Sequence, residues 1–184
     1  MTRILGISGS LRAASFNTAL LRAARRTAPE GVEIEIATLH GIPLYDGDLE
    51  AAAGIPEAVD ALKARIRASD ALLLATPEYN NGMPGVLKNA IDWLSRPAGE
   101  LRQLFGGRPL ALMGASPGGF GTVLAQAAWL PVLKSLGVQV WPGKSLMLSR
   151  AHQTIGADGE IIDEAALKTV ADFVAGYAAS LDAR

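Results

Sequence analysis

The sequence predicts an α/β protein, with one parallel sheet and helices packed on both of its faces. Short apolar runs of strand length alternate five times with longer segments whose apolar residues recur at three and four residues. The inner runs, Ala71-Leu72-Leu73-Leu74-Ala75 and Leu110-Ala111-Leu112-Met113, are apolar without interruption, as expected of strands buried on both faces. The supply of apolar residues agrees: 184 residues at 49% hydrophobic and 19% charged hold enough for a core, and 1–184 reads as a single domain.

Residues 4–7 form the first strand, followed by a helix on Phe16, Leu20, Ala23, Ala24 and Thr27. Val32-Glu33-Ile34-Glu35-Ile36 alternates with period two, the mark of a half-exposed strand near a sheet edge. Val59, Leu62 and Ile66 mark the second helix, with Pro56 suited to its first turn. After the third strand at 71–75, Val86, Leu87, Ala90, Ile91 and Leu94 give a third helix opened by Pro84. The fourth strand at 110–113 leads to a helix over 123–133, with a kink expected near Pro131, which has no N–H to donate. Val138-Gln139-Val140 is the fifth strand, and Leu167, Val170, Val174, Tyr177 and Leu181 line a closing helix. Residues 40–54 and 142–163 read as irregular connections, the second with an exposed turn at Ala157-Asp158-Gly159-Glu160.

Composition excludes several function classes. The chain has no cysteine, which removes disulfides, thiolate catalysis, iron–sulfur clusters and Cys-type zinc sites. Two histidines, His40 and His152, argue against a multi-His metal centre, and no metal is expected. A net charge of −1 gives no electrostatic footprint for nucleic acid. No apolar run approaches the roughly 20 residues of a membrane span. The N-terminal stretch lacks the pattern of a signal peptide, so a cytoplasmic location is expected.

In a doubly wound sheet ligands bind beyond the carboxyl ends of the strands, and the loops after the first, third and fourth strands are rich in suitable residues. The first runs Gly6-Ile7-Ser8-Gly9-Ser10-Leu11-Arg12-Ala13-Ala14-Ser15-Phe16-Asn17 into a helix N-terminus, where free N–H groups and the helix dipole favour an anion. Hydroxyls at Ser8, Ser10 and Ser15 with the Arg12 guanidinium suit a phosphomonoester. The spacing matches neither the dinucleotide fingerprint nor the P-loop. The bland reading makes Ser15 an N-cap and Ser10 a turn residue. The second loop, Thr76-Pro77-Glu78-Tyr79-Asn80-Asn81-Gly82-Met83-Pro84-Gly85, has two prolines and two glycines that fix an unusual backbone path. Such a loop suits reading the edge of a planar heterocycle, and Tyr79 adds an aromatic face. The third, Gly114-Ala115-Ser116-Pro117-Gly118-Gly119-Phe120-Gly121, lets a ligand approach the backbone closely.

Other residues receive plainer readings. His40 reads as a surface loop residue. Arg150 and His152 read as solvated side chains that could approach a second substrate. Trp93, Trp129 and Trp141 read as core or interface, and no Ser-His-Asp arrangement is present.

Three segments carry a family resemblance: Gly9-Ser10-Leu11-Arg12-x-x-Ser15-Phe16-Asn17, then Pro77-Glu78-Tyr79-Asn80, then Gly85-x-Leu87-Lys88-Asn89-x-Ile91-Asp92-Trp93-Leu94-Ser95. In this order they resemble the NADPH-dependent FMN reductase family, which includes quinone and chromate reductases and related azoreductases. The resemblance runs from about residue 3 to about residue 140. It implies a flavodoxin-like, five-stranded, three-layer α/β/α fold with strand order 2-1-3-4-5 and FMN at the switch point. It further implies that Ser10, Arg12, Ser15, Phe16 and Asn17 hold the phosphate and ribityl chain. By the same resemblance Pro77, Glu78, Tyr79 and Asn80 border the isoalloxazine ring, and Ser116, Gly118 and Gly119 line its other side. Ala13-Ala14 stands where the family pattern often has a long polar residue after the arginine.

The chemistry expected is a hydride from NADPH or NADH to FMN, then two electrons to a quinone, azo, chromate or flavin acceptor, with no catalytic side chain required. Two other readings compete. A non-enzymatic flavodoxin-like electron carrier is typically strongly acidic, which a net charge of −1 does not match. A binding or scaffolding module that has kept the fold of an FMN-binding module and lost the flavin sits poorly with intact Ser10, Arg12 and Glu78-Tyr79-Asn80. Surplus apolar residues on the helices holding Trp93 and Trp129 predict a homodimer or homotetramer through those helices.

Overall fold

The structure is a computed structural model that describes residues 1–183. Its strands are β1 (Thr2–Ser8), β2 (Val32–Ala37), β3 (Ala71–Ala75), β4 (Pro109–Ala115), β5 (Gln139–Val140) and β6 (Leu146–Leu148). Its α-helices are α1 (Phe16–Arg26), α2 (Gly47–Ala53), α3 (Glu57–Arg67), α4 (Gly85–Leu94), α5 (Leu101–Phe105), α6 (Val123–Leu136), α7 (Ala151–Thr154) and α8 (Glu164–Asp182). The order is β2-β1-β3-β4-β5, all parallel, the flavodoxin-like order. β2, the strand that alternates in sequence, lies at one edge.

Alternation along the inner strands builds two cores. Ala71, Leu73 and Ala75 of β3 and Ala111, Met113 and Ala115 of β4 face one layer, where α1 and α8 pack. Leu72, Leu74, Leu110 and Leu112 face the other, against α3, α4, α5 and α6. The small residues lie on the α1 side, and the space there is tight. A Cβ at Gly6 would stand 2.5 Å from Leu21 Cδ2, so glycine in β1 is what lets α1 seat on the sheet.

The structure departs from the sequence expectations where connections hold local structure. The 40–54 segment contains α2, started by the Asp46 carboxylate, which accepts from Asp48 N. The fifth sheet position is shared. β4 pairs with β5 at Pro109 and Leu110, then with β6 from Met113 to Ala115. The 142–163 segment therefore holds β6 and α7. α6 runs through Pro131 to end at Gly137, whose φ of 76° is the left-handed cap that glycine tolerates.

Trp93 and Trp129 are corrected from interface to core, since both are 0% exposed. Trp93 Nε1 donates to Pro43 O at 3.0 Å and its ring meets Tyr45 edge-on at 4.9 Å. Trp129 Nε1 donates to Thr76 Oγ1 at 3.0 Å. A buried indole with a satisfied N–H is a core anchor. The Trp93 spacing that leaves the Leu87–Ile91 line points it at the 40–54 segment, which covers α4.

Candidate functional site

The carboxyl ends of β1, β3 and β4 bring the three loops to one open cleft. Ser10, Arg12, Ser15, Phe16, Asn17, Pro77, Glu78, Tyr79 and Ser116 line it, with Ala115 and Pro117. Asn80, Gly118 and Gly119 lie outside that lining, exposed on the same two loops.

The first loop is held tightly at its base. Gly9 N donates to Ala75 O at 2.8 Å. A Cβ on Gly9 would stand 2.8 Å from both Pro77 Cδ and Leu87 Cδ2, so two site loops touch through a glycine. Ser15 is the N-cap of α1, its Oγ accepting from Thr18 N at 3.2 Å. Ser10 Oγ accepts from Arg12 N at 3.3 Å. Each hydroxyl oxygen accepts from backbone and retains its own hydrogen for a further acceptor. The bland roles and the ligand role are thus compatible. Ser8 is different: it is fully buried and bonded to Thr18 Oγ1 at 2.8 Å, away from the cleft.

Arg12 is exposed, and among the described residues no ion pair or hydrogen bond engages its guanidinium. A free cation beside two hydroxyls and the first-turn amides of α1 is a set made only of donors. Glu78 is the one carboxylate in the lining, and its Oε2 is spent on Leu124 N at 2.9 Å and Ala125 N at 3.0 Å. It caps α6 from another loop, where Thr122 supplies no side-chain cap. The donor set therefore fits a dianionic phosphate at this end of the cleft.

The opposite walls are mainly backbone and small side chains. Tyr79 and Gly82 exchange N–H···O bonds at 3.0 Å, and Asn80 and Asn81 between them have φ of 49° and 62°. Two positive φ values make a primed turn, which asparagine tolerates better than most residues. Asn81 is thus a turn residue and no N-cap for α4, whose N-cap is Pro84. Across the cleft, Gly118 N donates to Ser116 Oγ at 3.0 Å. Such walls admit a flat ring close to the backbone.

Three ties were invisible to periodicity. Asn17 is buried and clamps β4, its Nδ2 donating to Ala115 O at 2.9 Å and its Oδ1 accepting from Ala115 N at 3.0 Å. His40 Nε2 lies 3.1 Å from Leu11 O, so that nitrogen carries a hydrogen and braces the Arg12 loop. Asn89 Nδ2 donates to Pro43 O at 2.8 Å, and its Oδ1 accepts from Tyr45 N at 2.8 Å. Lys88 and Asp92 pair one helical turn apart. The Lys88-Asn89 to Trp93 motif thus ties α4 to the 40–54 segment. In that segment the Arg96 guanidinium, hydrogen-bonded to Glu50, holds the Glu50 carboxyl below its ordinary range. Apart from the Lys88–Asp92 pair, these contacts join residues dozens of positions apart, and no local pattern announces them.

Comparison with known proteins gives the same picture. Residues 2–153 match the model of the NADPH-dependent FMN reductase family. An NAD(P)H-dependent FMN reductase of Pseudomonas aeruginosa is 47% identical over 168 residues, 91% of this chain and 89% of the relative. A quinone reductase of Escherichia coli K12 is 35% identical, covering 90% and 87% of the two chains. Among solved structures, the flavoenzyme NAD(P)H:(acceptor) oxidoreductase of Paracoccus denitrificans superposes with a TM-score of 0.86 at 35% identity, covering 99% of this chain and 98% of that one.

Proposed function

This chain belongs to the NADPH-dependent FMN reductase family, and from that premise we propose that its cleft holds FMN with the phosphate at the start of α1. The protein is an FMN-dependent NAD(P)H oxidoreductase, which sets aside the carrier and bare-module readings. The observation that carries the site assignment is the unpaired Arg12 guanidinium beside Ser10 and Ser15 at a helix N-terminus. When bound, FMN supplies the two-electron chemistry between nicotinamide and acceptor. The chain's own residues bind and orient. Arg12, Ser10, Ser15 and the first-turn amides of α1 neutralise the phosphate. Asn17 sets the distance between α1 and β4. Pro77, Glu78 and Tyr79 form one wall for the ring and Ser116 the other, with Asn80, Gly118 and Gly119 exposed beyond them on the same two loops. No side-chain acid or base is required. Quinones are the favoured acceptor class, because a cleft walled by backbone and one aromatic face admits flat rings and selects weakly among them.

A single open face used by donor and acceptor in turn requires the first product to leave before the second substrate enters. Initial rates at varied NADPH and quinone should therefore give parallel double-reciprocal lines. Intersecting lines, with product inhibition indicating a ternary complex, would contradict the shared face.

Residues 1–184 act as one unit in this reading, because the cleft walls and α8 all rest on one sheet. Among the described residues no helix is long and apolar enough to cross a membrane. A charged dinucleotide donor that does not cross membranes favours a cytoplasmic location, which cell fractionation would check. The assembly is a homodimer or homotetramer in which α6, rather than its Trp129, meets the partner. Support comes from Phe120 at 84%, Leu124 at 47% and Leu130 at 51% exposure on and just before that helix. Light scattering should give a multiple of the 19.2 kDa chain mass. A monomer would overturn the assembly, and a dimer unchanged by Leu124→Arg plus Leu130→Arg would overturn the surface.

A further inference from the structure

A second, open groove lies against the first. It runs between the start of α1 and the 152–159 segment, and its walls include Arg12, Phe16, Arg22, His152 and Ile155. Arg12, Ser15 and Phe16 wall both cavities, so the two meet along the phosphate end of the cofactor cleft. Among the described residues no ion pair or hydrogen bond engages the side chains of Arg12, Arg22 or His152. Arg22 reaches across the groove: a Cβ on Gly159 would stand 2.9 Å from its Nη1. The nearby acids have other partners. Glu160 pairs with Arg26, and Asp158 Oδ1 accepts from Glu160 N at 3.0 Å.

The segment that carries His152 is also tied to the ring side of the cleft. Arg150 N donates to Gly118 O at 2.9 Å and Ala151 N to Ser116 O at 3.0 Å. The groove thus borders the phosphate end, and the chain that forms its far wall runs back through Ala151 and Arg150 to the loop on the ring side, a wall that a dinucleotide with its nicotinamide in the cleft would follow. Guanidinium and imidazole groups without partners among the described residues, beside the apolar faces of Phe16 and Ile155, suit a phosphorylated nucleoside, with these N–H donors on phosphate and the apolar wall on base and ribose.

We propose that this groove takes the adenosine 2′-phosphate end of NADPH, with Arg22 and His152 on that phosphate, and so selects NADPH over NADH. The inference rests on reading the cleft as a flavin site that receives a nicotinamide donor. NADH lacks the 2′-phosphate and leaves both donors without that partner, so discrimination falls on Arg22 and His152 and leaves FMN binding untouched.

The test uses the FMN-loaded protein, with Arg22→Ala and His152→Ala as separate variants. Calorimetry with adenosine 2′,5′-bisphosphate and with adenosine 5′-monophosphate reads the groove without turnover. The wild type should bind the bisphosphate at least about tenfold more tightly, a margin that each variant shrinks. In steady state the KM for NADPH should rise about tenfold in Arg22→Ala, while the KM for NADH and the Kd for FMN stay within about twofold. Equal binding of the two probes by the wild type would overturn the proposal, as would a parallel rise of both KM values. A protein that takes up no FMN would instead defeat the flavin reading, and the two probes, run on that apoprotein, would still decide the groove.

Discussion

Arg12→Ala is expected to weaken FMN binding by about ten- to a hundredfold, the equivalent of about 1.5–3 kcal/mol for a charge-assisted contact to phosphate. The fold should not register the change. Arg12 is exposed, its guanidinium has no partner among the described residues, and only its backbone N takes part in the loop, donating to Ser10 Oγ. Far-UV circular dichroism and the urea midpoint should match the wild type, while flavin fluorescence quenching reports the lost affinity. Arg12→Lys should recover part of it, since a lysine restores the charge but not the planar fork. An unchanged Kd in Arg12→Ala would remove this residue from the phosphate site.

Gly114→Ala is expected to act on the fold itself. A Cβ there would stand 2.1 Å from Thr122 Oγ1 and 2.3 Å from Thr76 O. Neither neighbour moves freely. Thr76 N donates to Met113 O at 2.9 Å, Thr76 Oγ1 receives Trp129 Nε1, and Thr122 Oγ1 receives Gln126 Nε2 at 3.1 Å. Making room means separating the end of β4 from the start of the 76–82 loop, the two walls of the cleft. Overpacking of this kind costs about 1–3 kcal/mol, occasionally more. Urea denaturation should show a lowered midpoint, and purified Gly114→Ala should carry less flavin than the wild type. A variant as stable as the wild type, with full flavin, would mean that the β4 and β3 ends are not locked together as described.

The frame of the molecule was legible because its signals are local. Unbroken apolar runs of strand length at Ala71 to Ala75 and at Leu110 to Met113 fit strands covered on both faces. The alternation at Val32 to Ile36 fits a half-exposed strand near an edge, where β2 lies. The loops were legible for a related reason: serines, an arginine and glycines at strand ends have few structural uses. What stayed hidden depends on distant partners. Glu78 reads as a wall of the ring site, yet its carboxylate caps α6 at Leu124 and Ala125. Trp93 and Trp129 read as surplus apolar surface because the segment and the threonine that receive their N–H groups lie about fifty residues away. β6 is held by its pairing with β4, and α2, which buries no residue, by the Asp46 cap and the Glu50–Arg96 pair, and each has too few residues to set a period.

The central claim is that this cleft binds FMN and passes electrons from a nicotinamide donor through it. Anaerobic titration of the FMN-loaded protein with NADPH, followed by visible absorbance, tests it most directly. The account predicts that an equimolar amount of NADPH bleaches the flavin band and that a quinone added afterwards restores it. A protein that binds no FMN, or a bound flavin whose band NADPH leaves unchanged, would contradict the account.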